Sequence, residues 1–77
     1  SSEVVINVVG DNEFGLLGTI SNVIKELHIN IANANFETNG NRFVGKLILQ
    51  VGNTSQLDQL IRRLTSLKGV SEVQRVS

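Results

Sequence analysis

The chain contains no cysteine, proline, methionine, tryptophan or tyrosine among its 77 residues. Without cysteine it has neither a disulfide nor a thiolate metal site. One histidine and scattered serines do not form a nucleophile–base set, and the seven acidic residues are too widely spread for an acid pair or a metal cluster. We therefore predict no catalytic residue, no metal and no cofactor, and no enzymatic activity in this chain itself.

The charge balance also excludes several classes of partner. Seven basic residues offset seven acidic ones, so the net charge is zero, and nothing attracts the chain to nucleic acid or to an anionic membrane. No apolar run is long enough to cross a membrane, and no signal peptide is visible. The lack of cysteine suits a reducing cytoplasm, the location we expect. We expect residues 1–77 to form one domain cut from a larger protein, because the chain begins at Ser1 without Met.

Hydrophobic periodicity predicts six elements in the order β-α-β-β-α-β. β-branched and alternating runs indicate strands, and apolar residues recurring every three or four positions indicate two helices. An Asn39-Gly40 pair between the two middle strands predicts a type I′ hairpin turn. Asn53, Thr54 and Ser55 offer N-cap oxygens for the second helix, and Ser55-x-x-Asp58 resembles a capping box. His28 is placed near the C-terminal end of the first helix. The predicted strands cover 4–9, 29–38, 42–51 and 70–76, and the apolar stripes of the helices cover 16–27 and 57–67.

This order is typical of the ferredoxin-like α+β fold. Right-handed crossovers give a four-stranded antiparallel sheet of order 4-1-3-2, with both helices on one face. The fold hosts many functions. An RNA-recognition domain would carry stacking aromatics on its central strands, and a heavy-metal carrier would carry paired cysteines in its first loop. The third strand carries a single aromatic residue, Phe43, which is expected to face the core, the net charge is zero, and the chain has no cysteine. The sequence therefore favours neither of these two roles.

The second strand lies at an edge of the predicted sheet, and it carries neither proline nor lysine to block pairing with another strand. Ala32, Ala34 and Phe36 are predicted to face one way, and Ile31, Asn33, Asn35 and Glu37 the other. The helix-free face gathers aliphatic side chains, including Val5 and Val9. We therefore predict a homodimer or domain contact through this edge and face. Its predicted interface residues are Ile31, Asn33, Asn35, Val44 and Ile48.

The stretch from Asn12 to Gly18 lies between the first strand and the first helix. A glycine here allows a sharp turn, and the N–H groups that follow it lie at the positive end of a helix, which suits a carboxylate. Glu13 would oppose that carboxylate but would attract an ammonium group. Phe14 either walls a pocket or packs on the helix, and Gly15 could equally serve the turn alone. The ligand-binding candidates in this loop are Asn12, Glu13, Phe14, Gly15, Leu16 and Leu17.

Several short motifs, in order along nearly the whole chain, resemble an ACT domain, a small regulatory module of amino-acid metabolism. They are the Val/Ile strand before Gly10-Asp11-Asn12, the Gly15-Leu16-Leu17 turn, the Leu27-His28-Ile29-Asn30-Ile31 segment, the leucine stripe of the second helix, and Gly69-Val70 followed by Val73-x-Arg75-Val76. Within the family, Gly15-Leu16-Leu17-Gly18-Thr19-Ile20-Ser21 and the closing strand look most like the C-terminal ACT domain of RelA/SpoT-type (p)ppGpp synthetase/hydrolases.

The resemblance implies a regulatory domain of a cytoplasmic stringent-response enzyme, a GTP pyrophosphokinase whose catalysis is performed by other domains of the parent chain. It implies side-by-side dimers through the second strand, and an amino-acid effector between the glycine loop and Asn30 and Ile31 of the neighbouring subunit. The family's usual Asp-Arg-Pro-Gly loop is replaced here by Asn12-Glu13-Phe14-Gly15. Two alternatives therefore stand beside the sensor: an interaction module without a ligand, and the ACT domain of another enzyme of amino-acid metabolism.

Overall fold

The computed structural model describes residues 2–77 and contains the six predicted elements. The strands form one antiparallel sheet of order β2-β3-β1-β4, which is the predicted order read from the opposite edge. The ferredoxin-like prediction is therefore confirmed. The bounds are β1 Ser2–Asp11, α1 Leu16–Glu26, β2 Asn30–Asn39, β3 Arg42–Val51, α2 Thr54–Thr65 and β4 Val70–Arg75.

The core lies between the helices and one face of the two central strands. Alternate residues of β1 and β3 are buried because successive strand side chains point to opposite faces. The helices contribute the apolar stripes that their three-and-four spacing predicts. The buried side chains are Val4, Ile6, Val8, Leu16, Ile20, Val23, Ile24, Ile29, Phe43, Leu47, Leu49, Val51, Leu57, Leu60 and Leu64.

The edge strand β2 takes little part in this core. Every described side chain in β2 is exposed except Phe36, which is half-buried. The Phe36 ring lies over Gly45 of β3 and makes a tilted contact with Phe43 at a centroid distance of 5.9 Å. One aromatic side chain therefore supplies most of the packing between this edge strand and the rest of the sheet.

A β-bulge in β2 interrupts the regular alternation of side chains that the sequence predicts. Ile31 is in register with Leu49, whereas Asn33 is in register with Ile48, so Ala32 is an extra residue. Because Leu49 faces the helices and Ile48 faces away, Ile31 lies on the helix side of the sheet. Asn33 and the rest of the outer row lie on the helix-free face. The prediction that Ile31 shares a face with Asn33 is therefore wrong.

The hairpin turn between β2 and β3 is shifted by one residue from the prediction. Asn39 still pairs with Arg42, so the two loop residues are Gly40 and Asn41. Gly40 has a φ of 63°, while neither asparagine has a positive φ. This sign pattern belongs to a type II′ turn, with glycine at the first central position, and the predicted type I′ turn is wrong.

The N-terminus of α2 is capped by the first of the three predicted N-cap candidates. Asn53 is the N-cap residue, and its Oδ1 accepts a hydrogen bond from the Gln56 N–H at 2.8 Å. The Gln56 Oε1 in turn accepts from the Gly52 N–H at 2.6 Å. A reciprocal arrangement of this kind therefore exists, but it does not involve the predicted pair Ser55 and Asp58.

Candidate functional site

The loop between β1 and α1 is anchored by backbone hydrogen bonds to two neighbouring turns. The Asp11 N–H donates to the Gly69 carbonyl, and the Asn12 N–H donates to the Asn41 carbonyl, both at 2.7 Å. The Asn12 amide also reaches the Gly40 carbonyl at 3.5 Å. The predicted polar ligand Asn12 therefore connects the loop to the β2–β3 hairpin, and Asp11 connects it to the α2–β4 turn.

Arg42 links three strands at the base of this loop. Arg42 lies in β3, and its Nη2 donates to Oγ of Ser71 in β4 at 2.9 Å. Its Nη1 lies 3.5 Å from Oδ1 of Asp11 in β1. About half of each side chain of the Arg42–Asp11 pair is exposed. Because the ion pair is screened by water, its contribution is mainly to hold the strand ends in place.

The first turn of α1 presents unused hydrogen-bond donors. Gly15 is the N-cap residue with a φ of 84°, a left-handed conformation that favours glycine, and no side chain caps the helix. Its carbonyl accepts from both the N–H and the Oγ1 of Thr19. Within residues 2–77 the N–H groups of Phe14, Gly15, Leu17 and Gly18 have no acceptor. These donors lie at the positive end of the helix dipole.

A shallow pocket of about 310 Å³ lies between this loop and the α2–β4 turn. Four of the six predicted loop residues line it, whereas Asn12 and Leu17 do not. Sequence reasoning missed the pocket's other three residues, although the predicted sheet order already places the α2–β4 turn beside the first loop. The lining residues are Glu13, Phe14, Gly15, Leu16, Thr19, Leu67 and Lys68.

Phe14 is the most exposed large apolar side chain among those described, with a relative accessibility of 107%. It borders the pocket but is not covered by any part of its own chain. The alternative in which Phe14 packs on the first helix is therefore wrong. A fully exposed phenyl ring on an anchored loop is available to another molecule.

Asn30 and Ile31 lie at the opposite end of the sheet from the loop. Asp11 is level with Arg42 and Asn39, Asn30 is level with Gln50, and eight residue steps of β3 lead from Arg42 to Gln50, a distance of roughly 27 Å at the usual rise per strand residue. The Asn30 amide donates to Gln50 Oε1 at 2.9 Å. One copy of the chain therefore does not bring the two predicted halves of the ligand site together.

These two residues line a groove between α1 and β2, called here the α1–β2 groove. It has a volume of about 480 Å³. Its floor is apolar, and its rim carries Lys25 and His28. His28 lies two residues beyond the last residue of α1, near its C-terminal end as predicted, and has a φ of 57°. The lining residues are Ser21, Ile24, Lys25, His28, Ile29, Asn30 and Ile31.

The other predicted interface residues lie on the helix-free face. Val9 pairs with Val44 and Val5 with Ile48, so the aliphatic side chains form two short rows across β1 and β3. Val44 is 48% exposed, and the other three are half-buried. Asn33 and Asn35 extend this face to the open edge of β2.

No group of three histidine, aspartate or glutamate side chains within residues 2–77 is close enough to hold a metal ion. Neither described helix has the length and apolarity needed to span a bilayer.

Comparison with known proteins places these features in a family context. The family model described as the ACT domain matches residues 1–75. The crystal structure of the ACT domain from GTP pyrophosphokinase of Chlorobium tepidum superposes with a TM-score of 0.87 and 28% identity, covering 96% of each chain. The solution NMR structure of that organism's GTP pyrophosphokinase ACT domain gives a TM-score of 0.84 and 29% identity, covering 99% of this chain and 86% of the other.

More distant structures share the fold alone. The small subunit of acetolactate synthase from Thermotoga maritima gives a TM-score of 0.85 at 14% identity, covering all of this chain and 48% of the subunit. No curated protein matches the chain.

Proposed function

The chain belongs to the ACT domain family, and we propose that it is the regulatory domain of a cytoplasmic GTP pyrophosphokinase, a (p)ppGpp synthetase/hydrolase whose catalytic domains lie elsewhere in the parent chain. The observation that carries this proposal is the 28% identity to the GTP pyrophosphokinase ACT domain over 96% of both chains. A regulatory domain of this kind acts when its effector or partner has a higher affinity for one state of the parent enzyme than for the other.

We propose that two copies pair through the edges of β2. The exposed side chains of this strand and its lack of proline and lysine support pairing, because its outer backbone groups have no strand beside them. An isologous pair would join two four-stranded sheets edge to edge, with the helices of both copies on the same side.

Lysine substitution at the two edges of the sheet tests this pairing. Asn35, Lys46, Asn7 and Gln74 form one row across the sheet, so Asn35 and Gln74 are equivalent positions on opposite edges. Asn35→Lys should abolish the dimer in sedimentation velocity while the far-UV circular dichroism stays native. Gln74→Lys should leave the dimer intact. A dimer that survives Asn35→Lys with unchanged affinity would refute pairing through β2.

We further propose that the dimer binds a small zwitterion such as an amino acid between the loop of one copy and the start of β2 in the other. The free N–H groups at Gly15, Leu17 and Gly18 suit the carboxylate, and the Asn30 amide offers a second polar contact. Antiparallel pairing supports this site because it brings opposite ends of two β2 strands side by side.

Calorimetric titration with each of the twenty amino acids tests the effector. One or more should release or absorb heat and shift the NMR signals of Gly15 and Asn30. Asn30→Ala should weaken binding, while Asn22→Ala, on α1 and outside both pockets, should not. A folded dimer that responds to none of the twenty would refute amino-acid sensing and leave pairing standing.

The helix-free face supports a second candidate, an interaction module without a ligand. Its exposed Val44 and the adjoining aliphatic rows resemble a contact surface more than an ordinary solvated sheet face. Val44→Glu should then abolish association with other domains of the parent enzyme, whereas Asn35→Lys should not. Equal association of both variants would refute this alternative.

A further inference from the structure

We propose that Phe14 of one copy inserts into the α1–β2 groove of a second copy. This inference rests on the proposed pairing through β2 and adds to it an apolar anchor that this chain's own loop provides. The same contact would make Phe14 the wall of the proposed effector site, formed only when two copies meet.

The first support is the solvent exposure of the Phe14 side chain. Its side chain is fully exposed, although the loop that carries it is anchored at Asp11 and Asn12 by hydrogen bonds to two other turns. The ring is thus held out from the protein by a structured loop. Burying a pre-positioned aromatic side chain costs little conformational entropy, which is the usual property of an interface anchor.

The second support is the groove. Ile24 and Ile29, 1% and 6% exposed, form its floor, and Ile31, 38% exposed, forms a wall. The wall exists because Ile31 is in register with Leu49 and so lies on the helix side. Ser21 on α1 is small, so the groove stays open from above. An apolar, open slot of this kind accepts a planar ring more readily than a charged or polar side chain.

The register of β2 brings the two features together. The bulge at Ala32 interrupts the edge, so the regular stretch available for pairing is Asn33–Asn39. Symmetric antiparallel pairing over this stretch is centred on Phe36 and sets Asn39 beside Asn33 of the second copy. Because of the bulge, Ile31 of that copy then lies only one residue rise, about 3 Å, beyond Asn39, at the height of the loop that follows Asp11.

The lateral distance is also within reach. From β1 of one copy to β2 of the other there are three strand spacings, about 14 Å. Asn12 is hydrogen-bonded to the hairpin carbonyls of Gly40 and Asn41, so the loop begins only one to two strand spacings, about 5–10 Å, from β2 of the second copy. The loop and the groove lie on the same side of the joined sheets, because the helices of both copies do.

The charges at the two surfaces are complementary. Glu13 precedes Phe14 and is exposed, and Lys25 stands on the rim of the groove. Neither takes part in an ion pair among residues 2–77. In one copy the Glu13 carboxylate lies beside Gly69, so its exposed side chain would turn away from that residue and toward the ammonium group as the loop approaches. The pair would contribute chiefly to orientation, since both groups remain near water.

The absence of tryptophan and tyrosine allows a direct test. Phe14→Trp introduces the only indole into the chain, at a position whose exposure tolerates it. Its emission and acrylamide quenching are followed over a dilution series, with the fraction of dimer measured by sedimentation velocity on the same samples. Val76→Trp, at a 55%-exposed position beyond β4, is the matched control.

We expect the indole of the Phe14→Trp variant to shift to shorter wavelength and lose quenching in proportion to the dimer, while that of Val76→Trp does not change. Phe14→Ser should raise the dimer dissociation constant on the order of 30-fold, the effect of losing one interface anchor, whereas Val76→Ser should change it little.

A dimer in which the Phe14→Trp indole stays as quenchable as that of Val76→Trp would overturn the insertion and leave β2 pairing intact. Protection that is independent of concentration would also overturn it, because the ring would then pack in its own chain. Failure of the chain to dimerise at any concentration would overturn both the pairing and the insertion.

Discussion

Gly10 is the position at which a single methyl group should do the greatest damage to the loop. It lies in β1 just before Asp11, on the face toward the helices. A Cβ added there would stand 2.6 Å from the Gly69 carbonyl oxygen and 2.8 Å from Phe43 Cε2. The first neighbour is backbone in a turn and the second is a core ring, 2% exposed, so neither can easily withdraw.

The structure gives the size of the effect for Gly10→Ala. The Gly69 carbonyl would have to retreat by about 0.8 Å to reach ordinary contact at 3.4 Å. That movement would break its 2.7 Å hydrogen bond from the Asp11 N–H, a loss of about 1 kcal/mol. Overpacking adds about 1–3 kcal/mol, and the lower entropy of the unfolded alanine chain returns about 0.4–1 kcal/mol. We expect a net loss of about 2 kcal/mol in the free energy of unfolding.

Thermal unfolding followed by far-UV circular dichroism measures this loss. For a chain of this length, about 2 kcal/mol lowers the Tm by roughly 8–16 °C. Gly18→Ala is the control, because a Cβ there meets nothing within 4 Å and alanine stabilises a helix by about 1 kcal/mol relative to glycine. All samples need the same concentration, since a dimer makes the Tm depend on it. A Gly10→Ala variant as stable as the wild type would refute the reasoning.

Two further predictions use the same unfolding measurements. Asn53→Ala should lower the free energy of unfolding by about 1 kcal/mol because it removes the N-cap of α2, whereas Ser55→Ala should leave it nearly unchanged; equal losses would show that the cap is misassigned. Gly45→Ala would place a Cβ 2.3 Å from the Phe36 ring and should displace that ring from the edge strand. The cost should be about 1 kcal/mol and smaller than that of Gly10→Ala, because the half-buried ring can swing toward solvent; a larger cost than that of Gly10→Ala would contradict this account.

The topology follows from the sequence because its signals are redundant. Alternating apolar residues in β3 and the two helical stripes each specify a face, and a chain with four such strands and two such helices has few ways to bury them together. Each of the 15 buried apolar residues belongs to the core cluster. The agreement of many weak local preferences is therefore enough to predict the topology.

The local errors occur where the side chains carry no preference for one of two arrangements. The segment Asn39-Gly40-Asn41 offers two frames for a two-residue turn, and only the pairing of Asn39 with Arg42 selects one. The alanines and asparagines of β2 are similarly small or polar and are exposed on either face, so alternation alone does not reveal the bulge at Ala32. Strand register there is set by β3, which a local sequence pattern does not describe.

The local sequence likewise predicts one part of the candidate site, whereas the other part depends on contacts between distant segments of the chain. The residues from Glu13 to Leu16 are contiguous, and their turn chemistry marks them without a structure. Leu67 and Lys68 reach the same pocket from the far end of α2, and only the position of β4 next to β1 brings them there. Asn30 is separated from the loop by the length of β2, so any site that uses both requires a second chain.

The bulge at Ala32 connects the fold to the proposed assembly. Without Ala32, Ile31 would directly precede Asn33 and stay opposite Leu49, so the bulge would disappear while the α1–β2 groove kept its exposed wall. The regular edge would then extend to Asn30, which would move the centre of a symmetric pair toward the start of β2 and draw the loop of one copy past the groove of the other. Deletion of Ala32 should therefore remove the insertion of Phe14 even where the edges still pair. One residue that adds nothing to the core would then determine the register that fills the groove.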